Sequence, residues 1–164
     1  MEGLPRIADV LTARERVGKV ILIAERRWFR QTWQLSHVRL VELEPAEQVS
    51  LPEMLAHALW LDPTSPQYLP EAWLPNSRFE RADSSKLQQA LTDAITDIEK
   101  ESDAEDPLAR HLRTLPVEGN DAVLELAGIP GGPKPTRPHQ WGPTLQIMWW
   151  HGARFHFLEI HNES

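Results

Sequence analysis

The sequence predicts one α+β domain over residues 1–164, with an antiparallel or mixed sheet of about four or five strands and about four helices on at least one face. Three observations carry this. Residues 84–101 place apolar side chains at helical spacing. Residues 144–160 hold two β-rich runs around one glycine. A chain of 164 residues, 41% hydrophobic and 25% charged, can bury a core without staples.

The elements follow in order. Residues 4–17 read as a helix, with Leu4, Ile7, Val10, Leu11 and Val17 on one face and Gly18 as its stop. Val20 to Ala24 is apolar on both faces, as a central strand is. A charged, aromatic segment, 25–31, follows, with a turn expected near Arg30 to Thr32. Trp33 to Leu43 reads as the return strand. Ser50 and Glu53 form a capping box before a short helix over 51–60. Four prolines in 62–76 exclude a regular element there. In 84–101, Leu87, Leu91, Ile95 and Ile98 make a stripe expected to be buried, with Ser84 as the expected cap. Asp106 and Pro107 then open another short helix, which Pro116 ends. Ala122 to Ala127, Thr144 to Trp150 and Ala153 to Ile160 read as strands. The last two are joined by a tight turn at His151-Gly152, where Gly152 is expected at positive φ.

Composition narrows the chemistry. The chain has no cysteine, so disulfides, thiolate metal sites and cysteine nucleophiles are excluded. It has no apolar run of signal-peptide or membrane-spanning length, so the expected compartment is the cytoplasm and no membrane partner is expected. Thirteen arginines against four lysines fit a GC-rich, bacterial genome. The net charge of −7 divides unevenly: +4 over 1–40, −10 over 41–110 and −1 over 111–164. Either the basic and acidic segments face each other in the fold or in a dimer, or the basic segment meets an anionic partner.

Two stretches are candidates for an interface. The first is Arg26, Arg27, Trp28, Arg30 and Trp33, with Phe29, Lys19 and Arg39 nearby. Aromatic faces stack on exposed bases and guanidinium groups neutralise phosphates, so this composition suits single-stranded RNA or DNA. It equally suits a hairpin whose aromatics pack on the core. The second is the loop 128–143, with four glycines and five prolines, carrying Lys134, Arg137 and Trp141. A proline-rich ridge can dock into an aromatic groove. The seven tryptophans add to the interface argument, because Trp149 and Trp150 are adjacent on one strand and must face opposite ways.

Motifs for catalysis are lacking. No nucleophile elbow, Walker loop or dinucleotide fingerprint occurs. His156 and His161 point to opposite faces of a strand, so no shared metal is expected, and no cofactor is implied. An acid–base pair leaves no linear signature, so His37, His57, His111 and His139 stay open. The leading expectation is a non-enzymatic accessory or assembly protein that binds another protein or larger complex. The alternatives are a nucleic-acid-associated subunit of a ribonucleoprotein or defence complex, and a small acid–base enzyme.

Overall fold

The structure, a computed structural model, describes residues 4–13, 22–29, 36–44, 49–60, 74–101, 105–120, 122–127 and 145–162. In chain order the elements are α1 (Ile7–Ala13), β1 (Leu22–Phe29), β2 (Ser36–Leu43), α2 (Leu51–Trp60), a 3₁₀ turn (Leu74–Asn76), β3 (Arg78–Arg81), α3 (Ser84–Glu101), α4 (Pro107–Thr114), β4 (Ala122–Ala127), β5 (Leu145–His151) and β6 (Arg154–Asn162). The α+β class stands. All six strands join one antiparallel sheet, in the order β1-β2-β6-β5-β4-β3.

Because side chains alternate along a strand, the sheet has two faces, and helices cover both. Val41, Leu43, Phe79, Leu124, Leu126, Met148, Phe155 and Phe157 pack under α1 and α2. Val38, Leu40, Ile147, Trp149, Leu158 and Ile160 pack under α3 and α4. Trp149 and Trp150 take opposite faces as expected, but neither is an exposed anchor. Trp149 is fully buried, and Trp150 is half-buried with its ring edge on Phe155.

Several expectations need correction. β1 runs through the charged, aromatic segment to Phe29, so Arg26, Arg27 and Trp28 lie on a strand. Cross-strand pairing to β2 overrides the loss of an apolar pattern there. β3 is a strand the sequence reading leaves unassigned. Its four residues, Arg-Phe-Glu-Arg, contain one apolar side chain, too few for a visible alternation, and they suit a sheet edge. The N-terminal helix begins at Ile7 rather than at residue 4. α3 is capped by Asp83, whose Oδ1 accepts from the Lys86 amide at 2.9 Å; Ser84 instead donates to Glu118. Leu87, Leu91 and Ile98 are buried with Ala90 and Ala94, while Ile95 is half-buried at the margin of the stripe.

α2, α3 and β4 begin and end where the sequence places them, and α4 begins at Pro107 as expected but ends at Thr114, two residues before Pro116. Ser50 and Glu53 cap α2: the Ser50 hydroxyl accepts from the Glu53 amide at 3.3 Å and donates to the Glu53 carboxylate at 3.1 Å. Asp106 caps α4 by accepting from the Leu108 amide at 2.8 Å. The β5–β6 turn is Gly152-Ala153, one residue later than expected, and Gly152 has φ +61°.

Candidate functional site

One row across the centre of the sheet carries the site. Glu42 on β2 pairs with His156 on β6, and His156 pairs with Trp149 on β5. All three side chains project from the α3/α4 face. α4 brings His111 down onto this row. Its apolar residues Leu108, Ala109 and Leu112 hold the helix against the sheet, which leaves His111 at the border between core and solvent. The tight turn returns the chain so that His151 and Arg154 are cross-strand partners at the same end.

Glu42, His111, His151, Arg154 and His156 line a cavity of about 430 Å³, together with Glu44, Leu115 and Pro116. Glu42 is only 2% exposed, yet it is surrounded by charge and polarity. Its Oε1 is hydrogen-bonded to His111 Nε2. Its Oε2 lies 3.6 Å from Arg154 Nη1 and 3.6 Å from His156 Nε2. Arg154 also reaches Glu44 at 3.3 Å, on the cavity rim. Burying a carboxylate costs several kcal/mol unless neighbours replace its water, and here an imidazole and a guanidinium do so.

His156 differs from its neighbours. It is 4% exposed, its ring stacks on Trp149 with centroids 5.0 Å apart and planes 5° from parallel, and its Nδ1 is buried without a hydrogen-bond partner. Burial lowers its pKa to about 4, outweighing the opposing pull of Glu42; Arg154, His151 and His111 lower it further. His156 is therefore neutral at pH 7. His151 Nδ1 meets Asn120 Oδ1 at 3.0 Å.

The residues proposed from sequence are placed elsewhere or lie beyond description. Arg26, Arg27 and Trp28 are on β1, which among the described residues pairs with β2 alone. Arg30, Trp33, Lys134, Arg137 and Trp141, and the expected turn near Arg30 to Thr32, lie outside the described residues. Arg39 does not belong to a surface basic patch. It is 3% exposed, donates to the Ala58 carbonyl at 2.8 Å and lies 3.9 Å from Glu159. Sequence reasoning missed Glu42 altogether, since an alternating strand gives no reason to bury a glutamate. Among the described residues, no group of three or more His, Asp or Glu is arranged to hold a metal ion, and no helix is long and apolar enough to cross a membrane. Comparison with protein-family models, with curated proteins and with solved structures gives no match.

Proposed function

We propose that this protein is a small acid–base enzyme that binds a polar small molecule in the cavity between α4 and the β5–β6 turn. One observation carries the reading: a buried carboxylate, Glu42, holds the imidazole of His111 at the wall of that cavity. A carboxylate–imidazole pair orients the ring and fixes a proton on Nε2, leaving Nδ1 to exchange one with a ligand. Apolar residues of similar volume would stabilise the fold at least as well as this charge cluster, so stability alone does not account for it. The cavity volume lies within the range of small-molecule sites.

The test is a thermal-shift screen with small carboxylates, amines, phosphate esters and sugars, followed by turnover assays on any hit. At least one compound is expected to raise the melting temperature in a concentration-dependent way. Glu42→Gln keeps the shape of the site and should remove that shift while leaving the circular dichroism spectrum intact. A screen without a hit, or a hit bound equally well by Glu42→Gln, overturns the proposal.

A second reading rests on the position of β1 as the outermost strand. Edge strands offer backbone donors and acceptors to an extended partner segment, and Arg26, Arg27 and Trp28 lie along this one. In this reading the protein is an accessory subunit, and the partner is a protein rather than single-stranded RNA or DNA. Arg27→Glu combined with Trp28→Ala should then weaken the complex with a purified partner. Retention on heparin that this double variant loses would favour nucleic acid instead. A cytoplasmic setting accords with both readings and with the absence of cysteine.

A further inference from the structure

The cavity holds a second oriented imidazole. Asn120 lies in the turn after α4, next to β4, and its amide nitrogen donates to two backbone carbonyls, Pro116 at 3.4 Å and Val117 at 3.2 Å. Those bonds settle which way the amide faces, since a carbonyl oxygen cannot donate to another carbonyl. Asn120 Oδ1 is thus the atom presented to His151 Nδ1, at 3.0 Å. An amide oxygen only accepts, so the proton of a neutral His151 must sit on Nδ1. The lone pair is left on Nε2, and His151 lines the cavity.

We infer that Asn120 is a positioning residue that holds His151 in the Nδ1–H form, making His151 Nε2 a proton acceptor for a cavity ligand that carries an acidic O–H or N–H. This rests on the proposed acid–base function and deepens it by naming a second group and the ligand chemistry. In the step, Nε2 takes the ligand proton, the ligand keeps the electron pair of the broken bond, and His151 becomes an imidazolium. The two imidazoles are oriented differently. His111 is held through Nε2 by a charged carboxylate, and His151 through Nδ1 by a neutral amide. They approach the cavity from different elements, α4 and the end of β5. Neutral, each ring presents a lone pair, His111 Nδ1 and His151 Nε2, so a ring that has taken a ligand proton can return it, as imidazolium, to another atom of the same ligand.

Two measurements test this without an identified ligand. In ¹⁵N-labelled protein at pH above the histidine titration, long-range nitrogen–proton spectra should show His151 protonated on Nδ1, the form free histidine disfavours. Asn120→Ala should shift that population by roughly fivefold, the ratio one net hydrogen bond sets. The second probe is diethyl pyrocarbonate, which acylates an unprotonated imidazole nitrogen. It should add at His151 Nε2 in the wild type and at either ring nitrogen in Asn120→Ala, the position being read by NMR of the adduct. A purely structural Asn120 would change the melting temperature but leave the wild-type ring protonated on Nε2, and that result overturns the inference. Acylation of the wild-type ring at Nδ1 does so as well. Glu42→Gln should not change the His151 tautomer, so ligand binding retained in that variant, which overturns the proposed function, is distinguishable from a wild-type His151 protonated on Nε2, which overturns this inference.

Discussion

At the residue scale, His156 converts burial into pH dependence. Its folded pKa of about 4 lies below the unfolded value of 6.5. Between those values the unfolded chain binds more protons than the folded one, so unfolding is favoured as acid is added. The stability that comes from keeping His156 neutral is fully present above pH 6.5 and is lost as pH falls towards 4. The contribution is on the order of 3 kcal/mol. The groups that face the ring are Glu42, which resists the shift, and Arg154, His151 and His111, which reinforce it. The melting temperature should therefore drop between pH 7 and 4.5, and His156→Phe, which keeps a ring against Trp149, should flatten the drop. A variant as acid-sensitive as the wild type would place the titrating group elsewhere.

At the element scale, three changes probe how the site is held. Leu91 is buried in the stripe of α3, and Leu91→Asp should cost several kcal/mol by placing an unpaired charge there; an unchanged denaturation midpoint would show that the stripe is not core. Gly152→Val should destabilise by about 1–2 kcal/mol, because a β-branched residue resists the φ of +61° in the hairpin turn. Space is not the issue, since nothing lies within 4 Å of an added Cβ. Asp106→Ala should cost about 1 kcal/mol by removing the cap of α4. It should also loosen His111, which sits one turn further on, and chemical denaturation with histidine NMR would separate the two effects.

These same elements mark what sequence could reveal. Periodicity and caps are local, so α2, α3 and β4 were legible to the residue, as was the start of α4. Pairing partners are not local, and β1 shows the cost of that. Its course through Glu25 to Phe29 is set by pairing with β2, not by its own pattern. The site was illegible for the same reason. His111 stood out as a histidine of unknown partner, and the partner lies on β2, 69 positions earlier. A glutamate on a strand that otherwise reads as half-buried was the one available signal, and it gains meaning only once α4 is known to cover that face.

At the scale of the whole molecule, the sheet joins the two ends of the chain. β2 and β6 are neighbours in it, and Arg154 meets Glu44 across a separation of 110 positions. Closing so long a loop brings no reward until the ladder forms, so this pairing should set the pace of folding. The β5–β6 hairpin supplies His151, Arg154 and His156, while β2 and α4 supply Glu42 and His111. Neither part alone holds a cavity. A backbone cut between β4 and β5 would therefore split the chemistry along with the fold. The larger fragment would keep the carboxylate and one imidazole, and the smaller would carry the guanidinium and the other two. Mixing them should restore ligand binding and Trp149 burial together, at a rate first-order in each fragment, so that the two seams of the sheet, β2 with β6 and β4 with β5, would act as the contacts of a switch closed by association.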